Sequence, residues 1–351
     1  MLRLPAFERY EPTTVEDAVG LLDALGSDAL VVGGGTDLLP KVKRGQRRPA
    51  ALVSLSAIEG LDGVAVDADG ARIGGLTRLA TVAGHEELRQ AYPAVAEAAG
   101  AAGTPTLRRM GTLAGNLCQD TRCRYYDQTA GWRAALGYCL KAPGPAGFVP
   151  DPSGGDTDAG DDGDDGEEAV PCRVAPGSPR CWAVFAADTA PALVALGASV
   201  TLVGPDGPRD LPLADLYRDD GVAHLAKDPA ELLVEVRLPA ADGVRSTYRK
   251  HARRGSVDFP EVGVAVAVRQ AADGTVEAAT VALGGVASRP VVAAEAAAAL
   301  VGERPTPERL EAAGEAAAAA GQPMDNTALH PSVRRRVAAV ATRRALASVV
   351  E

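Results

Sequence analysis

Two Asp-Gly turns, each between strand-like runs, constrain the fold of this chain more than any other feature. The first turn lies in GVAVDADGARIGGLT at Asp69-Gly70, and the second lies in VGVAVAVRQAADGTVEAATVALGGVA at Asp273-Gly274. An Asp-Gly pair between two such runs favours a β-hairpin, because the tight turn needs positive φ angles that glycine adopts without strain. The chain is therefore expected to contain antiparallel sheet towards both of its ends.

Helical and strand-like segments alternate around these hairpins. TTVEDAVGLLDAL offers Thr13 as an N-cap and places its apolar residues on one helical face, and ALVV and ALVSL are typical of buried strands. A long helical stretch is interrupted near Pro93, while Thr306 and Pro307 form a good start for a C-terminal helix. This mixture predicts an α+β protein and not a doubly wound one.

The net charge is concentrated in one short run. The chain has 351 residues and a formal net charge of −10, and residues 151–168 hold nine of its acidic residues without any Lys or Arg. Without that run the net charge is only −1, which argues against a nucleic-acid partner, since such a partner calls for a basic face. No signal peptide or membrane-spanning run is recognisable, so a cytoplasmic location is expected.

Two glycine-containing motifs suit the binding of a phosphate-bearing cofactor. VVGGGTDLL places three glycines after a buried strand, where backbone N–H groups can converge on an anion. RRMGTLAGNLCQD combines glycines with Thr112 and Asn116, whose side chains both donate and accept hydrogen bonds. Neither motif is a Walker loop or a G-x-G-x-x-G fingerprint. Taken alone, each motif is a weak signal and is better explained as a structural turn.

Taken together, the motifs resemble the FAD-binding subunit of the molybdenum hydroxylase (xanthine dehydrogenase) family. The resemblance runs from FERYEPTTVEDAVGLL through VVGGGTDLLPKVK and LRRMGTLAGNL to AADTAPALVALGASVTL, YRKHARRG and ALGGVASRP. It implies a two-subdomain FAD-binding fold of the vanillyl-alcohol-oxidase (PCMH) type and a C-terminal α+β domain with an antiparallel sheet and helices. We place these parts at residues 1–55, 56–222 and 230–351.

The resemblance also implies the residues that bind FAD. The pyrophosphate loop would comprise Val32, Gly33, Gly34, Gly35, Thr36 and Asp37, and a second backbone cradle would comprise Thr112, Gly115 and Asn116. Asp188 would contact the ribose or anchor the adjacent turn. Leu233 and Lys250 would lie nearer the flavin ring, where a lysine charge would favour reduced, anionic flavin. A surface position for Lys250 is the alternative. The chain departs from the family at Ala114, where a second glycine is common.

An insertion over about residues 118–185, which includes the acidic run at 151–168, begins at Cys118 and holds the other four cysteines of the chain. Four thiolates can hold zinc or an iron–sulfur cluster, and the spacing alone does not decide between zinc, a cluster and no metal. The insertion resembles that of the β subunit of 4-hydroxybenzoyl-CoA reductase, which implies a [4Fe–4S] cluster. Its ligands would be Cys123, Cys139, Cys172 and Cys181. Cys118 is expected to be a buried free thiol.

The expected function is electron transfer by an oxidoreductase subunit that has no catalytic side chain of its own, because the cofactor performs the chemistry. The resemblance implies a large molybdenum-cofactor subunit, a small [2Fe–2S] subunit and a ferredoxin-like carrier as partners. Two alternatives stay open. One is a xanthine or CO dehydrogenase-type FAD subunit that uses NAD or oxygen and has structural zinc in the cysteine loop. The other is a non-catalytic flavin-fold interaction protein.

Overall fold

The computed structural model describes residues 3–144, 170–255 and 258–350. The acidic run at 151–168 therefore lies outside the described residues. The N-terminal subdomain is a three-stranded parallel sheet of order β1-β3-β2 with two helices. Its elements are β1 (Glu8–Tyr10), α1 (Val15–Leu25), β2 (Ala29–Val32), α2 (Leu38–Lys43) and β3 (Ala51–Ser54). The sheet and α1 enclose a small apolar core, so that β2 ends at the surface of this subdomain with its glycine loop.

The second subdomain is built on a five-stranded antiparallel sheet of order β4-β5-β8-β6-β7. Its strands are β4 (Val64–Asp67), β5 (Gly70–Gly74), β6 (Ser199–Gly204), β7 (Gly207–Pro212) and β8 (Leu232–Pro239). Its helices are α3 (Leu79–Gly84), α4 (Glu86–Ala91), α5 (Pro93–Ala101), α6 (Pro105–Met110), α7 (Leu113–Leu117), α8 (Ala130–Ala135) and α9 (Thr189–Ala195). The expected hairpin at Asp69-Gly70 is present as β4 and β5.

Strand β8 corrects the expected domain boundary. The sequence prediction starts the C-terminal domain at residue 230, but β8 is hydrogen-bonded between β5 and β6 in the second subdomain. Strand propensity identifies such a segment without identifying its neighbours, because pairing partners are set by tertiary packing. The second subdomain therefore extends beyond its predicted end at residue 222, to the end of β8.

The C-terminal domain is a four-stranded antiparallel sheet of order β12-β11-β10-β9 covered by helices. Its elements are β9 (Val244–His251), β10 (Val262–Gln270), β11 (Val276–Gly284), β12 (Val291–Val292), α10 (Ala294–Ala298), α11 (Pro307–Ala320) and α12 (Pro331–Ala347). Both faces of β10 are buried. Its valines pack under the C-terminal helices, whereas Ala265 and Ala267 face the core of the second subdomain. This two-sided packing joins the domain to the FAD-binding part.

The described part of the insertion has little regular structure. It contains the short helix α8 and two isolated bridges, Arg122 to Val184 and Cys139 to Ala142. A small cluster of buried residues, Cys123, Tyr126, Cys181 and Ala183, forms its core. No helix in residues 3–144, 170–255 and 258–350 is both long enough and apolar enough to cross a bilayer.

Candidate FAD cleft and cysteine pocket

A cleft of about 470 Å³ lies between the N-terminal subdomain and the second subdomain. Its volume is within the range of ordinary cofactor sites. Ten of the twelve residues predicted to bind FAD line it, and they come from three separate parts of the chain. They are Val32, Gly33, Gly34, Gly35, Thr36, Asp37, Thr112, Gly115, Asn116 and Leu233. The structure thus brings both glycine motifs to one cavity, although their contact with FAD stays a prediction.

The glycines of the first motif let the two loops touch. A β-carbon on Gly34 would lie 2.0 Å from the backbone oxygen of Met110, so only glycine fits between the loops. Gly35 has a φ of +68°, which lies in the left-handed region that glycine adopts without strain. The chain turns there into α2, and Asp37 stands at the N-terminal end of that helix. The loop after β2 is therefore held against the second motif by backbone contact.

The second motif is held by its own side chains. Thr112 caps α7, because its Oγ1 accepts a hydrogen bond from the Gly115 N–H at 3.1 Å. Asn116 Oδ1 accepts hydrogen bonds from the Thr189 hydroxyl at 2.6 Å and from the Thr189 N–H at 3.2 Å. Asn116 thus ties the cleft to the start of α9, and its oxygen is already occupied by this structural role.

Asp188 and Lys250, the other two predicted residues, lie outside the cleft lining and contact each other. Asp188 accepts hydrogen bonds from Lys250 Nζ at 3.0 Å and from the Tyr248 hydroxyl at 2.8 Å. Lys250 also donates to the Ala101 carbonyl at 3.0 Å, so it is not the exposed lysine of the alternative expectation. Burial raises the pKa of Asp188 to about 6, against the opposing effects of Lys250 and Tyr248. In this structure the pair links α9 to β9.

A charged network that the sequence motifs did not reveal occupies one end of the cleft. Asp120 lies 2.7 Å from Lys141 Nζ, 3.1 Å from Lys41 Nζ and 3.4 Å from Arg47, and it accepts a hydrogen bond from Tyr126. Burial alone would raise the pKa of Asp120, but the three cations hold it well below its usual range. These partners are 6 to 79 residues away in the chain, so no local spacing could have indicated them.

Two buried nitrogen donors in the cleft lining form no hydrogen bond with the described residues. Lys41 Nζ has only ion-pair contacts, to Asp120 and, at 3.4 Å, to Asp37. Lys41 Nζ and Gln119 Nε2 form no hydrogen bond with any residue that the structure describes. His224 in the same lining is neutral, since burial and the nearby Lys141 lower its pKa to about 4. Buried donors that form no hydrogen bond, beside glycine loops, fit an anionic cofactor such as FAD.

The four cysteines of the insertion come together in one pocket. All four are buried and none forms a disulfide; they are Cys123, Cys139, Cys172 and Cys181. The Cys181 thiol donates a hydrogen bond to Cys172, which lowers the pKa of Cys172 to about 5 and raises that of Cys181. Burial raises the pKa of Cys123 to about 12, and electrostatic repulsion from the neighbouring Cys139 and Cys172 thiolates contributes to this increase. We call this set the cysteine pocket.

Backbone N–H groups point at three of the four sulfurs. Hydrogen bonds to sulfur stabilise the thiolate form that binds metals. Cys123 receives them from Tyr125 and Tyr126, Cys172 from Val174, Ala175 and Trp182, and Cys181 from Ala183. Within the described residues, no group of three or more His, Cys, Asp or Glu side chains is arranged to hold a metal ion. The sulfurs are therefore neighbours without converging on one point.

Lys141 connects the cleft lining to the cysteine pocket. Its Nζ contacts Asp120 in the cleft lining, and it also donates to the Gly221 carbonyl at 2.5 Å and to the Thr121 hydroxyl at 2.8 Å. Gly221 packs on the cysteine pocket, since a β-carbon there would lie 2.8 Å from Cys181 Sγ. The cleft and the cysteine pocket are therefore adjacent. Cys118 lines the cleft and is a free thiol whose pKa is raised by burial.

Comparison with known proteins identifies two family domains in the chain. Residues 5–241 match the FAD binding domain in molybdopterin dehydrogenase, and residues 246–349 match the CO dehydrogenase flavoprotein C-terminal domain. The division falls after β8, as the sheet topology requires. The first match alone covers more than half of the chain.

Individual relatives belong to the same group of proteins. The chain is 35% identical to the aldehyde oxidoreductase FAD-binding subunit PaoB of Escherichia coli over 267 residues, which are 75% of this chain and 76% of that protein. It is 26% identical to the carbon monoxide dehydrogenase medium chain of Afipia carboxidovorans over 97% of this chain and 96% of that one. The solved carbon monoxide dehydrogenase of Hydrogenophaga pseudoflava superposes with a TM-score of 0.75 at 26% identity, covering 99% of this chain and 98% of that one. The chain therefore belongs to the family of FAD-binding oxidoreductase subunits of molybdenum hydroxylases, the family that includes the carbon monoxide dehydrogenase medium chain.

Proposed function

We propose that this chain is the electron-transfer flavoprotein subunit of a molybdenum-containing complex and that it binds a [4Fe–4S] cluster in addition to FAD. The single observation that supports this proposal is the cysteine pocket, in which four buried free cysteines lie directly behind the wall of the FAD cleft. An external one-electron carrier would exchange electrons with the cluster. A small [2Fe–2S] subunit and a large molybdenum-cofactor subunit would complete the complex.

The cleft residues have distinct roles towards FAD. The glycine loop after β2 and the start of α7 would offer backbone N–H groups to the pyrophosphate, as the close packing of these loops permits. Lys41 and Gln119 would donate hydrogen bonds from the buried lining. Asp120 holds Lys41 and Lys141 in place by its charge. Bound flavin supplies the redox chemistry, since it exchanges electrons singly or in pairs.

The cysteine pocket supplies the four thiolates that a cluster requires. A single zinc ion needs its sulfur ligands at about 2.3 Å from one common point, whereas a cubane cluster binds each thiolate to a different iron and so spreads its ligands. The described residues form no group already arranged around a metal ion, so the sulfurs would have to shift to bind either. Backbone N–H groups already point at three of the sulfurs, and the positive charge of Lys141 lies close to Cys181. These groups would stabilise the bound thiolates and influence the potential of the cluster.

The cysteine insertion is also the basis for comparing the chain with the β subunit of 4-hydroxybenzoyl-CoA reductase. The relatives found by comparison are named for aldehyde oxidoreductase and carbon monoxide dehydrogenase. These names favour a hydroxylase-type FAD subunit as a second candidate. Structural zinc in the cysteine loop is the metal expected for that candidate. The two candidates share FAD and the fold, and they differ in the metal and in the external electron partner.

Metal and cofactor analysis of protein purified without oxygen separates the candidates. We expect about four irons, four acid-labile sulfides and one FAD per chain, as the proposed cofactors require. The absorbance of both centres should decrease on addition of dithionite. One zinc with one FAD and no labile sulfide would refute the cluster and favour the hydroxylase-type subunit. Protein that emerges colourless from gel filtration, even after incubation with FAD, would refute both.

A further inference from the structure

An exposed apolar surface lies on α8, close to the cysteine pocket. Trp132 and Leu136 are each 40% exposed, and they are four residues apart, so that they share one side of the helical turn. An exposed tryptophan is uncommon on a surface without a partner and is frequent at the centre of protein interfaces. This pair is therefore a candidate contact point for another protein.

Cations flank both ends of α8. At its start, Ala130 lies beside the basic segment 43–48, since a β-carbon on Gly45 would be 3.7 Å from the Ala130 β-carbon, and the buried Arg133 of the last turn donates to the Gly45 carbonyl at 2.9 Å. That segment has the sequence KRGQRR. At the other end, Arg173 donates to the carbonyls of Leu136 and Gly137. The apolar pair thus lies between two groups of positive charges.

The segments around α8 are rich in positive charge. Residues 38–50, 121–144 and 170–187 contain eleven Lys or Arg and one acidic residue, Asp127. Of these cations, Lys41, Arg47 and Lys141 are paired with the neighbouring Asp120. Asp127 is neutralised by Arg122 at 3.2 Å. In the described parts of the chain, Lys43, Arg44 and Arg48 form no ion pair. These three cations are therefore available to an acidic partner.

The surface is directly connected to the cysteine pocket. Leu136 precedes Cys139 by three residues, and Arg173 follows Cys172. Arg173 Nε also donates to the Tyr138 carbonyl at 2.8 Å, so this arginine fastens the two cysteine-bearing loops to each other. A protein that covers α8 would therefore contact the loops that hold two of the four sulfurs.

We propose that Trp132, Leu136 and the cations Lys43, Arg44, Arg48 and Arg173 form a docking face for a small acidic one-electron carrier protein. The proposal rests on the proposed function, since it needs a redox centre in the cysteine pocket. Charge complementarity would speed the encounter, and the tryptophan would supply the apolar contact. Each encounter transfers one electron, so that the carrier is oxidised by one electron and the subunit reduced by one, or the reverse. No bond is formed or broken.

The test measures electron transfer between the purified complex and an acidic [2Fe–2S] ferredoxin, photochemically reduced, by stopped flow. A Lys43→Glu/Arg48→Glu variant should lower the second-order rate constant at low ionic strength by about tenfold or more and weaken its salt dependence. Trp132→Ala should lower it without changing the salt dependence. The matched control is Arg335→Glu/Arg336→Glu, two exposed cations on α12. Reduction by dithionite should be the same in all variants.

The possible failures are distinguishable. If iron, sulfide and FAD are present and the ferredoxin rate is the same in the docking variants and the wild type, the docking face is refuted while the proposed function stands. If the variants lose their partner subunits on purification, the face is a subunit interface and carrier docking is again refuted. If the wild type contains no iron, the proposed cluster fails and the docking role fails with it.

Discussion

At the scale of single residues, Asp120 connects the two sites electrostatically. It stays ionised although it is buried, because Lys141, Lys41 and Arg47 surround it. A neutral side chain there would leave three cations facing one another, and breaking a buried ion pair in this way costs about 3–5 kcal/mol. Through Lys41 it orders the cleft, and through Lys141 it orders the wall of the cysteine pocket.

The cysteine ligands can be tested one residue at a time. Cys181→Ser should abolish the absorbance and the iron of the cluster and leave FAD bound. Cys181 is one of the four proposed ligands in the cysteine pocket, and it does not line the FAD cleft. Cys139→Ser should do the same. Cys118→Ser, which leaves the four pocket cysteines intact, is the matched control and should keep its iron. An equal loss of FAD in Cys181→Ser would show that the two sites form one structural unit.

At the scale of elements, local signals identified segments but not their partners. The hairpin at Asp273-Gly274 is confirmed as β10 and β11, and the cap at Thr306 is confirmed. The first helix is capped one residue later than expected, by Thr14, since α1 begins at Val15. The sheet that contains β8 and the network around Asp120 could not be predicted, because both depend on contacts between distant segments that only tertiary packing brings together.

The contact between the two glycine motifs gives a prediction for the loop after β2. Gly34→Ala should weaken FAD binding by about tenfold or more, since its β-carbon would overlap the Met110 carbonyl and force the loops apart. Gly20→Ala is the control. It lies inside α1 with no atom within 4 Å of the added carbon, and it should stabilise the fold by about 0.5–1 kcal/mol. FAD dissociation constants and unfolding midpoints measure both effects. Unchanged FAD affinity in Gly34→Ala would show that the loops can separate without loss of the site.

At the scale of the whole molecule, the C-terminal domain is fastened to the FAD-binding part by two different contacts. One is apolar, since Ala265 and Ala267 of β10 pack into the core of the second subdomain. The other is polar and buried, since Asp188 before α9 pairs with Lys250 and Tyr248 of β9. The cleft is joined to this junction by Asn116, which bonds to Thr189 next to Asp188. A change of charge at Asp188 should therefore alter the stability of the whole chain.

The junction predicts a specific dependence of stability on pH. Because burial raises the pKa of Asp188 to about 6 from its ordinary value of 3.8, the folded chain binds more protons there than the unfolded chain between these two values. The free energy of unfolding should therefore fall as the pH rises through this window, by about 3 kcal/mol at most for this group.

Asp188→Asn removes the titrating group and keeps the shape of the side chain, so the variant should lack this part of the pH dependence. The wild type should consequently lose stability relative to Asp188→Asn as the pH rises from 4 to 7, measured as thermal unfolding midpoints with FAD in excess. Asp23→Asn on the exposed side of α1 removes the same charge and should show no such trend against the wild type. A constant difference between wild type and Asp188→Asn over this range would mean that Lys250 and Tyr248 compensate fully for the burial of the carboxylate. In that case the junction would hold the two parts of the molecule together equally well at every pH in the range.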